Sequence, residues 1–307
     1  DSLHRLGVKL MVSVWSKIDR NSEVGKQMAA DNYYIKNTDW IDFFNPKAAE
    51  AYWKNFNERL VPLGIDAWWQ DATEPENDDL EGRRIMKGSQ PGERFRNVYP
   101  LKVSEVVYNG LRKEDAERRA MIFTRSGFSG IQRYGSVMWS GDVGNDWKTL
   151  RYQIASGLNF VSTGLPWWTY DAGGFFRPGD QYTNKDYIER MIRWIQTSTF
   201  LPMMRVHGYQ SDTEPWRYGE EAQRIIAGLL LIEGNRIQDG LAGHIDQRLI
   251  QRRVSPHHIK MPRLQPVKLD DIALSVFAIP GQHDLIRPLL QRLRHVVPVI
   301  VNLYLHK

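Results

Sequence analysis

Along the first 223 residues, short apolar runs alternate with segments of helical period. Residues 8–15 (VKLMVSVW), 64–71 (GIDAWWQD) and 120–125 (AMIFTR) are rich in branched and aromatic residues and predict strands. Residues 137–140 predict a shorter strand, and residues 160–162, 167–170 and 203–206 predict extended segments. Between them lie helical patterns. Asn45 followed by Pro46 reads as an N-cap with proline in the first turn, opening a helix to about residue 60. Further helices are predicted over 98–111, 147–157 and 185–197. Near-continuous apolar strands alternating with helices predict an α/β fold, a parallel sheet covered by helices.

The polar residues fall where such a sheet would use them. Trp15, Asp71, Arg125, Asp142, Asp171 and His207 each close a separate predicted strand. In a parallel barrel those ends meet on one face, where sites are built. Three Asp, an Arg, a His and a Trp arriving together make a carboxylate-rich pocket with an aromatic wall.

Composition narrows the classes. With 307 residues, 42% hydrophobic and 25% charged, the chain is not disordered throughout. The longest apolar runs, 227–232 and 296–301, are too short to span a bilayer, so no membrane span is expected. Cysteine is absent, which removes a disulfide framework, a thiolate zinc site and a cysteine nucleophile. The first residues carry no Met, no basic stretch and no apolar stretch, and read as a cut inside a longer chain, so the compartment stays unknown.

Residues 224–307 differ from the rest. They hold 12 Lys+Arg against 6 Asp+Glu, and of the aromatics only Phe277 and Tyr304. A basic segment could be a nucleic-acid patch. Here the Arg residues are interleaved with Leu and Ile and no stacking platform accompanies them, so the tail is read as a solvated, mainly helical pattern and no nucleic acid is expected. Adjacent His257 and His258 on a polar loop, and the acidic loop of Asp78, Asp79 and Glu81, are read as solvated, and no metal is expected. There is no Gly-rich phosphate loop, no helical His-Glu-x-x-His and no Gly-x-Ser-x-Gly elbow, so no cofactor is expected either.

Paired carboxylates among Trp and Tyr point to glycoside hydrolysis, which needs one ionised carboxylate at the anomeric carbon and one protonated carboxyl at the leaving oxygen. Trp68-Trp69-Gln70-Asp71-Ala72-Thr73-Glu74-Pro75 resembles the nucleophile segment of glycoside hydrolase family 31, Trp-x-Asp-x-x-Glu-Pro. Trp139-Ser140-Gly141-Asp142 resembles its acid/base segment, Arg125-Ser126-Gly127 its arginine strand, and Tyr170-Asp171-Ala172-Gly173-Gly174-Phe175 its His-Asp-Ile-Gly-Gly-Phe segment, with Tyr170 in place of His. Met204-Arg205-Val206-His207-Gly208 is similar to its Arg-x-His segment, and Val14-Trp15 and Asp42-Phe43-Phe44-Asn45-Pro46 fit as well. The double Trp before Asp71 and the Ala-Thr-Glu-Pro after it resemble the α-xylosidase members.

The resemblance implies a (β/α)8 TIM barrel, present here as an incomplete barrel of about strands 3 to 8 in residues 1–223. It implies a retaining α-glycosidase, with Asp71 as nucleophile and Asp142 as acid/base. Arg125 and His207 would hold sugar hydroxyls and keep Asp71 ionised, Trp15 and Trp139 would pack on the ring, and Trp69 and Glu74 would support them. For Asp171 a substrate contact and a barrel-rim hydrogen-bonding role stand side by side. The expected partner is an oligosaccharide carrying non-reducing-end α-xylosyl units, such as those from xyloglucan. An α-glucosidase, or a truncated carbohydrate-binding remnant without catalysis, is the alternative. The family allows a periplasmic or secreted location. Residues 224–307 match no part of the family's pattern and are read as unrelated or out of frame.

Overall fold

Helices cover the outer face of a parallel sheet, and that arrangement turns one set of strand residues into core and the other into a site. The computed structural model describes residues 2–77 and 80–240. Its elements are α1 (Ser2–Arg5), β1 (Met11–Trp15), α2 (Glu23–Ala30), α3 (Pro46–Arg59), β2 (Ala67–Asp71), β3 (Arg84–Ile85), β4 (Gln90–Pro91), α4 (Tyr99–Glu114), β5 (Ile122–Thr124), β6 (Ser136–Trp139), α5 (Trp147–Ser162), β7 (Trp168–Thr169), α6 (Lys185–Ser198) and α7 (Glu220–Gly240). Five strands form one sheet in the order β1-β2-β5-β6-β7, each pair parallel, and β3 and β4 form a small antiparallel hairpin. The chain divides into two compact units, Asp1–Gly228 and Leu229–Lys307. His257 and His258, Asp78 and Asp79, and the tail beyond residue 240 lie outside the described residues.

Strand residues alternate between faces. On the outer face, Trp68 packs on Phe56 of α3 with ring centroids 4.3 Å apart, and Gln70 accepts a 2.9 Å hydrogen bond from Ser104 of α4. Trp168 lies against Gly157 of α5, where an added Cβ would sit 2.4 Å from the indole. The helices are built for this contact. Asn45 caps α3 through Lys47 N–H, Pro46 occupies its first turn, and Ala48, Ala49, Tyr52 and Phe56 form its buried stripe. Asp146 caps α5 and Asn184 caps α6 in the same way.

On the inner face, register places Trp15 beside Asp71 and Trp69 beside Phe123, with Trp139 further along. Strand β1 shows the alternation plainly: Val14 is buried, whereas Ser13 and Trp15 are exposed. β1 and β7 are the edges of the sheet, as expected for part of a barrel wall.

Two expectations are corrected. Residues 160–162 are the last turn of α5 rather than extended, because no turn separates them from Gly157 and the helix continues to Ser162. Residues 203–206 do not form a full strand: a single parallel bridge joins Val206 to Ala172, with Ala172 N–H donating to Arg205 O at 3.0 Å. The sheet thus has five strands, and the sixth position is held by that bridge.

At the opposite end of the sheet, Asp66 ties α1 and the segments leading into β1 and β2 together. It accepts from Leu10 N–H at 2.9 Å and pairs with His4 at 2.7 Å and Lys9 at 3.3 Å. Burial alone would raise its pKa, but the Leu10 N–H, His4 and Lys9 outweigh that and hold it at about 2, below its ordinary 3.8. A lowered carboxylate stabilises the fold above its unfolded pKa, and that contribution fades as pH falls through the folded value. Asp66→Asn is therefore expected to unfold at a lower denaturant midpoint than the parent at pH 7, with the gap closing between about pH 4 and pH 2. A gap that stays constant over that range would contradict the assignment.

Candidate active site

The loop after β2 is shaped by its own residues. Ala72 takes the left-handed backbone (φ 53°), is fully buried, and donates its N–H to Asp71 Oδ1 at 2.9 Å. That conformation costs an L-residue about 1–2 kcal/mol, and here it turns the next side chain back into the sheet. Thr73 Oγ1 then bonds Thr124 Oγ1 at 3.1 Å and Ser126 Oγ at 3.0 Å, while Thr124 Oγ1 donates to Ser126 O at 3.0 Å. This hydroxyl cluster joins the Asp71 loop to the residues on either side of Arg125.

Arg125 is the hub. Its Nε donates to Glu74 Oε1 at 2.9 Å and lies 3.7 Å from Asp71 Oδ1; Nη2 donates to Glu76 Oε1 at 2.6 Å; Nη1 donates to Asp142 Oδ2 at 3.1 Å. Burial works against its charge, but Glu74 and Glu76 more than compensate and push its pKa up. Asp142 reaches it because Gly141 occupies the left-handed region (φ 82°) in the Trp-Ser-Gly-Asp turn. For Asp71 the largest influence is burial, which raises its pKa; Arg125 and the Ala72 N–H oppose this, and the negative charges of Asp142 and Glu74 add to it, leaving a net rise.

A second cluster forms the floor. Trp139 is stacked on Phe123 at 4.4 Å, and Trp69 meets Phe123, Trp139 and His207 edge-on at 6.3, 5.9 and 5.1 Å. The Arg205 guanidinium lies over Trp69, Phe123 and Trp139 at 4.7, 4.9 and 5.1 Å and forms an ion pair with Asp171. Burial lowers the Arg205 pKa to about 10, against the pull of Asp71 and Asp142, so it stays charged at neutral pH. Burial, with Arg205 and Arg177, lowers the His207 pKa to about 4, so its ring is neutral there.

The predicted residues therefore fall into two groups. Asp71, Glu74, Arg125 and Asp142 meet through one guanidinium, with Trp15 beside Asp71 by register and 38% exposed. Trp69, Trp139, Asp171 and His207 meet around Arg205. The geometry qualifies three of these residues. Trp139 is only 3% exposed and stacks one face on Phe123. Asp171 is fully buried and paired with Arg205. The cations coupled to Asp71 are Arg125 and Arg205, not His207. Arg205, Glu76 and Phe123 are additions. Phe123 stands two residues before Arg125 on the same face of its strand, and Arg205 two before His207, so strand alternation was the available signal. Glu76 carried none.

A polar cleft of about 630 Å³, lined by Asn77, Arg96 and Asn97 among others, opens beside Glu74. Among the described residues no group of three His, Asp or Glu is arranged to hold a metal ion, and no helix is long and apolar enough to cross a membrane.

A parallel barrel wall with two carboxylates joined by an arginine at its carboxyl end defines a barrel of glycoside hydrolase type. The chain belongs to glycosyl hydrolase family 31: the family described as "Glycosyl hydrolases family 31 TIM-barrel domain" matches residues 1–232. It is 40% identical over 238 residues to an alpha-xylosidase of Saccharolobus solfataricus, covering 74% of this chain and 31% of that protein. It is 33% identical over 195 residues to alpha-glucosidase 2 of Bacillus thermoamyloliquefaciens, covering 60% of this chain and 24% of that protein. Its structure is similar, at a TM-score of 0.70 and 29% identity, to a family 31 alpha-xylosidase from a soil metagenome complexed with xylose, covering 78% of this chain and 40% of that one. The chain thus spans well under half the length of these relatives.

The Arg205–Asp171 pair lies beneath apolar rings, so removing one partner leaves a buried charge. Arg205→Met is expected to destabilise the fold by about 3–5 kcal/mol in urea denaturation, and Asp171→Asn in the same chain to recover part of that loss. A single variant as stable as the parent would remove the pair from the core of the site.

Proposed function

We propose that these residues form the catalytic centre of a retaining α-glycoside hydrolase with an α-xylosyl donor, acting on non-reducing-end units of oligosaccharides such as those from xyloglucan. The observation that carries the reading is Arg125, which touches both Asp71 and Asp142 from one guanidinium. Asp71 Oδ1 is taken by Ala72 N–H and faces Arg125, which leaves Oδ2 to attack the anomeric carbon. As that bond forms, the glycosidic C–O bond breaks and the Asp142 proton passes to the leaving oxygen. The glycosyl ester on Asp71 is then opened by water, whose proton goes to Asp142, and the product keeps the α configuration. Arg125 balances the developing charges, and Glu74 and Glu76 hold it in place.

The xylosyl preference rests on Trp69 and on the α-xylosidase relatives. Trp68 is turned outward onto Phe56, so of the two indoles Trp69 is the one on the site side, and we read its bulk as the obstacle to a hydroxymethyl group. The open edges of the sheet favour a second reading, a carbohydrate-binding remnant without turnover. Release of aryl α-xyloside that depends on Asp71 supports the enzyme; sugar binding without release supports the remnant. We read the chain beyond the family match, residues 233–307, as unrelated to the barrel, a later start than residue 224, which resequencing of the coding region across codons 223–233 checks.

In a protein carrying the full barrel, Asp71→Ala and Asp142→Ala should each abolish hydrolysis, and azide should rescue Asp71→Gly with an inverted product anomer, read by proton NMR. Full activity in either alanine variant would remove that residue from its role. Catalytic efficiency should favour aryl α-xyloside over aryl α-glucoside by roughly 10–200-fold, and Trp69→Ala should narrow that ratio. Equal efficiencies in the parent would overturn the xylosyl preference and leave the glycosidase reading standing.

A further inference from the structure

Close approach of two loops governs the rim of the site. Gly174 has φ 79°, and a Cβ there would lie 2.5 Å from Gly144 O and 2.7 Å from Asn145 Cα. This contact lets residues 175 and 176 lie across the loop that follows Asp142. Val143 O accepts from Phe175 N–H at 2.9 Å and Phe176 N–H at 3.2 Å, and Asn145 Nδ2 donates to Phe176 O at 2.7 Å. Tyr209 N–H donates to Phe175 O at 2.9 Å. The backbone of both rim aromatics is therefore pinned, yet Phe176 is 53% and Tyr209 56% exposed.

An isolated exposed Phe means little. These two are continuous with the site: the Phe175 ring touches Phe176 at 4.9 Å, Tyr209 at 5.7 Å and His207 at 5.5 Å, and His207 meets Trp69 at 5.1 Å. The series runs from Trp69 in the floor to the exposed rim, where the Phe176 backbone is bonded to Val143, the residue after Asp142.

Resting on the reading of Asp142 as the proton donor, we propose that Phe176 and Tyr209 form a binding platform for the first sugar ring of the leaving group. The argument is positional. The leaving oxygen takes its proton from Asp142, so the ring attached to it departs along the loop after Asp142, and that loop holds Phe176. A pyranose presents an apolar C–H face to an aromatic ring, and a ring on a fixed backbone has only its side-chain freedom left to lose on binding it.

The test is calorimetric titration of the full chain with xylose and with the sulfur-linked, non-hydrolysable form of α-xylosyl-(1→6)-glucose. The parent is expected to bind the disaccharide at least about tenfold more tightly than xylose. Phe176→Ala and Tyr209→Ala should each lose most of that gain with xylose binding unchanged, and Tyr209→Phe should keep it. A gain that survives in both alanine variants, or an equal loss for both sugars, overturns the platform. If xylose binds and the disaccharide gains nothing, the platform falls and the glycosidase reading stands. If neither sugar binds the parent, both fall for this chain.

Discussion

The constraint on which the site depends is a single half-buried guanidinium, at one strand end, shared among carboxylates from two others. Arg125 binds Glu74 and Glu76 through short hydrogen bonds, donates to Asp142, and stands 3.7 Å from Asp71. Five ionisable groups thus occupy a space that would otherwise crowd four carboxyl groups together. Their mutual placement is fixed by geometry set further away: the Thr73, Thr124 and Ser126 hydroxyls lock the Asp71 loop to the Arg125 loop, and the outer-face contacts of Trp68 and Gln70 fix the strands beneath. The chemistry proposed for Asp71 and Asp142 needs two carboxyls facing one sugar, and Arg125 contacts both.

A second buried cation does comparable work below. Arg205 lies over three aromatic rings and against Asp171, and its charge adds to burial in keeping His207 neutral. A neutral imidazole accepts or donates a hydrogen bond to a sugar hydroxyl without adding charge, which suits a pocket whose field is already set by two arginines and several carboxylates.

Much of this was legible in the residues. Strand ends could be read because each apolar run stops at a polar residue, and that pattern named Asp71, Arg125, Asp142 and His207 together. The extended reading of 160–162 failed because a short apolar run looks alike in a strand and in the last turn of a helix; packing of Gly157 on Trp168 decides between them. The strand at 203–206 failed for a related reason, since its pairing reduces to one bridge at a sheet edge. Nothing local in the sequence announces that Trp139 stacks on Phe123. Arg205 was named only within the Arg-x-His segment; alternation from His207 hints at its face, and its place over three rings shows only once the strands are side by side. Rim aromatics such as Phe176 and Tyr209 carry no periodic signal at all; the loop contact at Gly174 presents them.

The assignment of Asp71 as nucleophile, with Asp142 as its proton-donating partner, is the central claim, and covalent trapping tests it most directly. A protein carrying the full barrel, incubated with a slowly turned-over 5-fluoro-α-xylosyl fluoride, would be digested and its peptides weighed by mass spectrometry. The account predicts a glycosyl adduct on the peptide containing Asp71, located on that carboxylate and absent from Asp71→Asn. An adduct on Asp142, or on any carboxylate other than Asp71, would contradict it.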